Sequence, residues 1–477
     1  MSPSSSWNPL ISRRAALRRT ACGFGSLALA GLCSDETRAE RSNPLASRLP
    51  HYPARVKRVI FLFMQGGPSQ VETFDAKPEL THGDGQSIDF VGVRSKNFGE
   101  SSQRRLMKPL WSFRRYGECG QAVSELFPHI AEHVDDICFL HGMHTEGVAH
   151  GPSTLFMHTG ATNLVRPSMG SWITYGLGKE NASLPGFVTI CPAASKGGPR
   201  NYSNAFLPAV YQGTAIGRAG QAAKDATLRH LTNDRLSSAR QRTQFEFLRE
   251  LNRAQGARVG ADDRLEATIE SFELAHRMQM EAPGLLDLSR ETPSTLEMYG
   301  IGQKATDDYG RQCLMARRLA ESGVRYIQVN YSDESTTPKW DQHSDMPQHA
   351  VHARATDKPV AGLLADLKQR GLLEDTLLWW GGEFGRTPFA QGTDGRDHNP
   401  FGFTSWLCGG GIKGGVSHGA TDEWSFRAVE DKTTGYDLHA TILHLLGIDH
   451  ERLTVRQDGI DRRLTDVHGH VIRDILA

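Results

Sequence analysis

Glu383, Arg386, Asp397 and His398 fall within one stretch, GGEFGRTPFAQGTDGRDHNPFG over residues 381–402, directly behind the apolar run TLLWW. Asp341 and His343 in WDQH lie two apart, a spacing that turns both side chains to one side of an extended segment. Together Asp341, His343, Glu383, Asp397 and His398 offer oxygen and nitrogen donors without a thiolate. That set suits zinc, manganese or iron, and suits calcium less because of the imidazoles. A divalent ion so held polarises an ester oxygen or activates water. Arg386 has the fork to clamp an anionic group through two hydrogen bonds. Each part also has a plainer reading: Glu383 could pair with Arg386, Asp397-His398 could form a turn, and Trp340 could merely pack. The convergence of several segments is what points to a metal site.

The elements that must position these residues are legible as apolar runs. VKRVIFLFM from Val56 to Met64, then ICFLHGM, GFVTI, VRYIQVN, TLLWWGG and FTSWLCGGG, read as buried strands. Helical stripes alternate with several of them: Tyr309, Cys313, Ala316 and Ala320, then Val360, Leu363, Leu364 and Leu367 before Gly371. A further helix carries Leu438, Thr441, Ile442 and Leu445, with Asp437 as its expected cap and Gly447 as its stop. Continuous apolar strands separated by helices predict an α/β domain, a mostly parallel central sheet flanked by helices. Ligands of such sheets bind outside the carboxyl ends of the strands. There the sequence places Gln65, Ser69, Glu72 and Asp75, then His141, His144, Glu146 and His150, then Asp333 and Glu334. Residues 192–300 differ. Loop-like segments are followed by a charged helical region with Leu265, Ile269, Phe272 and His276 on one face, which reads as an insertion. GGGIKGG lacks the spacing of a phosphate-cradling loop.

With 54 basic and 54 acidic residues, the chain has no net charge suited to nucleic acid. Residues 1–39 are set apart. SRRAALRR and the apolar stretch from Ala21 to Leu32 have the layout of a twin-arginine export signal, with cleavage expected after Ala30 or Ala39. The apolar part is too short to span a bilayer comfortably, so any membrane attachment would come from an uncut signal. This predicts a periplasmic or secreted protein with a single domain over residues 40–477. Seven cysteines occur, two of them (Cys22 and Cys33) in the signal region. The others show no CxxC spacing, which argues against a zinc-thiolate site and leaves one disulfide open without naming its pair.

VIFLFMQGGPSQVETFDAKPEL, GRQCLMARRLAESGVRYIQVN, GEFGRTP, GRDHNPFGFTSWLCGGGIKGG and DLHATILHLLGID together resemble a family of secreted bacterial proteins catalogued as domain of unknown function 1501. The likeness runs from about Arg55 to Asp449. That family is similar to sulfatases and sits with the alkaline-phosphatase-like hydrolases. The resemblance implies a metal site at the carboxyl edge of the sheet. It also implies that Asp341, His343 and His398 correspond to the Asp and two His holding one metal in the phosphatases. Glu383 falls where those enzymes carry the Asp of an Asp-His pair, with Phe384 in place of the His. HGPSTLFMHTG is similar to the sulfatase segment around the nucleophile, whose Cys or Ser falls here on His150. Ser153 is the fallback nucleophile. The chain departs from sulfatases in lacking Cys-x-Pro-x-Arg and in ending its first strand with Gln65-Gly66-Gly67.

These readings lead to an exported hydrolase of sulfate or phosphate esters that uses a divalent metal, zinc or manganese before calcium. His150, Glu383, Arg386 and Ser153 are the catalytic candidates, and an anionic ester or sulfated glycan is the expected substrate. The alternative is a non-catalytic protein binding a sulfated glycan or a cell-surface partner. A structural envelope protein is the third reading.

Overall fold

A computed structural model describes residues 43–90, 103–228, 236–259 and 263–477. The export segment expected over residues 1–39 lies outside the described residues. Eight strands run through the main sheet: β1 (Arg58–Met64), β2 (Ile137–His144), β3 (Phe187–Ile190), β4 (Thr214–Ile216), β5 (Tyr326–Tyr331), β6 (Thr376–Gly381), β9 (Phe403–Gly409) and β10 (Val416–His418). Their order is β10-β2-β9-β6-β1-β5-β3-β4, and Thr433–Thr434 pairs beside β2 as the ninth strand. β1 is parallel to both β5 and β6, while β9 is antiparallel to β6 and β2. Between β6 and β9 the chain makes a separate hairpin, β7 (Gly385–Gln391) and β8 (Gly395–Asn399).

The parallel strands are apolar throughout because both their faces are covered. All seven residues of β1 are buried. In register across β1 and β6, Phe61 stacks on Trp379 at 3.5 Å. Across β6 and β9, Trp380 stacks on Trp406, and Ser405 takes the Trp379 indole N–H at 3.0 Å. Burial of each such side chain contributes roughly 1.5–3 kcal/mol. The flanking helices are α1 (His150–Thr159), α2 (Met169–Leu177), α5 (Asp307–Glu321), α6 (Gln348–Gln369) and α7 (Gly435–Leu445).

Three sequence expectations are corrected here. Asp437 is not the cap of α7. Thr434 is, with Asp437 at the third helical position closing a capping box in which each side chain meets the other's backbone N–H. The region 192–300 contributes β4 to the sheet as well as two helices, α3 (Ser238–Val259) and α4 (Asp263–Leu286). On α4 the buried positions include Leu274 and Met278, while Phe272 is exposed, so the helix turns a different stripe inward. Cys119, Cys138, Cys191, Cys313 and Cys408 are all free thiols. No helix among the described residues is long and apolar enough to cross a membrane.

Candidate metal centre

β1, β2, β5 and β6 all end at one edge of the sheet, and the chain leaves each of them into a loop that faces the same place. The β2 exit leads to His150, the first residue of α1. The β5 exit leads to Asp341 and His343. The β6 exit leads through Glu383 into the β7–β8 hairpin, where His398 stands in register opposite Arg386.

Ligand atoms of His150, Asp341, His343 and His398 lie within 4.8 Å of one another. Asp341 Oδ2 is 3.0 Å from His150 Nε2. Its Oδ1 is 2.8 Å from His343 Nε2 and 3.3 Å from His398 Nε2. His343 Nε2 and His398 Nε2 are 3.0 Å apart. Each imidazole is held from behind through Nδ1: His150 by Glu383 Oε1 at 2.6 Å, His398 by the Val148 carbonyl at 2.9 Å, and His343 by the Gln391 carboxamide oxygen. An acceptor at Nδ1 places the ring proton there and leaves the Nε2 lone pair facing inward. Three such lone pairs around one carboxylate repel one another unless a cation sits between them. Tethering the outer ring nitrogen is how proteins orient metal-ligating histidines.

Without a metal, protons take the cation's place. Burial by itself lowers the His150 pKa, but hydrogen bonds to Asp341 and Glu383 raise it overall. The Asp341 hydrogen bond raises His343. Burial lowers His398, with Asp341 only partly opposing it. Burial pushes Asp341 upward, yet the three histidines and the Arg386 charge hold it far below the usual carboxylate range. The shifts of His343 and His398 are opposite because the Asp341 hydrogen bond outweighs burial at His343 and burial outweighs it at His398.

Gly66 makes the approach to Asp341 possible, and Gly67 makes room for Phe384. Gly66 and Gly67 have φ of +113° and +76°. A Cβ on Gly66 would stand 2.7 Å from Trp340 N and 2.9 Å from Asp341 N. Gly66→Ala is therefore expected to lower unfolding stability by about 1–3 kcal/mol from backbone strain and to displace Asp341. Urea unfolding reads the first effect, and an unchanged midpoint would contradict it.

The other expected site residues have different places. Glu383 is fully buried and is not among the clustered ligands: it accepts from Gly66 N at 2.9 and 3.2 Å and holds His150. It sits behind His150 with both carboxylate oxygens hydrogen-bonded. Asp397 is outside the cluster too; its Oδ1 accepts from His398 N at 2.8 Å and lies 3.8 Å from His343 Nδ1. Arg386, expected as an anion clamp, is fully buried and faces Asp341 Oδ1 at 2.7 Å and backbone carbonyls. Ser153 is fully buried on α1 with an unpartnered Oγ, packed against Gly147. His150, expected as nucleophile or ligand, stands among the ligand atoms. His141 meets Thr404 Oγ1 at 3.1 Å and stays outside the cluster. Glu72 and Asp75, the acids after β1, also serve the scaffold. Glu72 pairs with Arg396 at 2.7 Å, and Asp75 accepts from Thr421 Oγ1 at 2.5 Å.

Sequence reasoning missed Val148, Gln391, Gln70 and Arg396. Val148 acts only through its backbone carbonyl, which no residue type announces. Gln70 locks the start of the hairpin by exchanging two 2.8 Å hydrogen bonds with the Arg386 backbone. Arg396 directly precedes Asp397 and His398, a proximity that could have marked it.

The family described as protein of unknown function (DUF1501) matches residues 56–476. No curated protein matches the chain. Among solved structures, the lipoteichoic acid synthase LtaP from Listeria monocytogenes is 8% identical, with 90% of this chain and 80% of that one covered, at a TM-score of 0.38. The PsFucS1 sulfatase from Pseudoalteromonas sp. is 12% identical over 83% of this chain and 68% of its own, at a TM-score of 0.34. The phosphonate monoester hydrolase SpPMH from Silicibacter pomeroyi is 15% identical over 73% and 71%, at a TM-score of 0.30.

Proposed function

We propose that this chain, which belongs to the DUF1501 family, is an exported metal-dependent hydrolase of sulfate or phosphate esters. One observation carries the reading: three imidazoles, each tied back through Nδ1, turn their Nε2 lone pairs onto one carboxylate. His150, Asp341, His343 and His398 would hold the metal, zinc or manganese on the chemistry of an N₃O donor set. Such an ion supplies Lewis acidity toward an ester oxygen and lowers the pKa of water. The residues around it orient rather than react. Glu383 fixes the His150 ring, Val148 fixes His398, and Gln391 fixes His343. His343 and His398 are half-buried, whereas His150 and Asp341 are buried, so a substrate would approach from the side of the first two. An anionic ester, including a sulfated glycan, is the substrate class that a cationic centre would draw.

Elemental mass spectrometry on protein exported through its own signal, followed by a panel of aryl sulfates and phosphates, tests the proposal. Bound transition metal with turnover of one ester class supports it. Folded protein without metal overturns it. A second reading, a metal-bearing binder without turnover, is favoured by the position of His150. The residue that falls on the sulfatase nucleophile is held between Asp341 and Glu383. Sulfated-glycan binding with no hydrolysis of any ester would select it.

Metal affinity should also depend on pH in a definite direction. His150 and His343 have raised pKa values in the metal-free chain, so both keep their protons further into the neutral range. Ligation requires the neutral imidazole. Affinity is thus expected to tighten by roughly 10- to 100-fold from pH 6 to pH 8, about half to one proton released per ion averaged over that window. Competition with a chromophoric chelator measures it, and a flat profile would contradict the donor assignment.

A further inference from the structure

We infer that Arg386 is a built-in counter-cation that positions Asp341 and restricts the centre to a single divalent ion; the inference rests on the metal reading above. Arg386 is fully buried. Every partner of its guanidinium is an oxygen. Nε donates to Gly67 O at 3.0 Å, Nη1 to Arg396 O at 3.3 Å, and Nη2 to Gly66 O and to Asp341 Oδ1 at 2.7 Å. Three carbonyls and a carboxylate make a cradle of the kind that holds a hard cation, and here a guanidinium fills it.

The acids nearby are already engaged. Both Glu383 oxygens take Gly66 N, and Oε1 takes His150 as well. Asp397 Oδ1 takes His398 N. Phe384 packs against both His150 and His398, with ring centroids 5.0 and 4.4 Å away, and brings no donor atom. The guanidinium also stands 5.8 Å from the Phe384 ring. A second divalent ion near Asp341 would meet a fixed positive charge and a Glu383 carboxylate whose two oxygens are both hydrogen-bonded. The same guanidinium keeps Asp341 Oδ1 aimed into the cluster, because the planar fork fixes the direction of the 2.7 Å hydrogen bond.

The first measurement is the number of Mn²⁺ ions bound per folded chain at saturation, with the electron paramagnetic resonance spectrum. One ion with an isolated-ion spectrum is expected. Two ions, or an exchange-coupled pair, would overturn the inference while leaving the metal reading intact. No ion at all would overturn the metal reading itself, and this inference with it. The second measurement uses Arg386→Ala. Its Mn²⁺ affinity is expected to fall roughly 10- to 100-fold and to recover in tens of millimolar guanidinium but not in equal urea, which has the shape without the charge. Equal recovery in both, or no recovery in either, overturns the charge role. Should the alanine chain fail to fold, Arg386→Lys keeps the charge without the fork. One ion at reduced affinity is then expected, and two ions overturn the inference.

Discussion

Asp341→Ala should strip the chain of its metal and reduce turnover of any ester substrate by at least about 10³-fold. Asp341 is the one carboxylate of the clustered set and touches all three imidazoles as well as Arg386. Losing the ion removes several kcal/mol of charge stabilisation in the transition state, and about 1.4 kcal/mol corresponds to tenfold in rate. The substitution also leaves Arg386 buried without its anion, so stability falls as well. His343→Ala separates the two effects. His343 is half-buried, and its loss removes a ligand without orphaning a buried charge. Both variants should lack metal by elemental mass spectrometry, with His343→Ala close to metal-free wild type in thermal unfolding. A full equivalent of metal in both would sink the ligand assignment.

The largest stability effect is expected away from the ligands, at Arg396. Arg396 and Glu72 are both fully buried and 2.7 Å apart. The guanidinium also donates to the carbonyls of Thr387, Met107 and Lys108, and Glu72 Oε2 accepts from Leu110 N at 2.8 Å. One side chain thereby ties the hairpin to the first strand's exit and to residues 107–110. Arg396→Ala should cost about 3–5 kcal/mol because it strands a buried carboxylate, a large share of the roughly 5–15 kcal/mol that holds a typical domain together. Replacing both partners with apolar residues of similar volume should recover much of that loss, since buried ion pairs seldom outdo good packing. Denaturant unfolding of the two single variants and the double variant tests this. A loss under about 1 kcal/mol for Arg396→Ala would mean that the pair behaves like a surface one.

The sheet was readable in sequence wherever strands are buried on both faces. β1, β2, β3, β5, β6 and β9 stand out as apolar runs. β4 and β10 do not, because TAI and VSH are three-residue edge strands whose pairing depends on the neighbouring strand rather than on their own pattern. Thr434 was missed as a cap because Thr-Gly-Tyr-Asp places the acid three positions on, where it completes the box from within the helix. The stripe on α4 failed for a different cause. Leu274, Met278, Phe272 and Met280 are apolar on both sides of the helix, so periodicity alone does not choose a face.

At the site, residue type was enough to single out Asp341, His343, His398 and His150 as candidate ligands, because imidazole and carboxylate are the donors a metal needs. It did not suffice for Glu383, Arg386 and Asp397. Whether a charged group touches a ligand or a substrate depends on which of its atoms are already hydrogen-bonded. Sequence carries the charge but not that allocation. Ser153 shows the same limit: its hydroxyl is capable of chemistry, but the fold turns it into the interior under Gly147.

The centre draws on chain segments far apart in sequence; the His150–Glu383 hydrogen bond alone spans 233 residues. No partly folded stretch holds the whole set, and such long-range contacts close late because loop-closure entropy opposes them until the rest of the sheet has formed. An ion seated there would act as a non-covalent staple across the chain, binding the finished fold and not its precursors. At a hundredfold excess over its dissociation constant it would add about 2.7 kcal/mol to the unfolding free energy. Metal loading would then serve the cell as a readout of completed folding, with the emptied chain the first to open on heating.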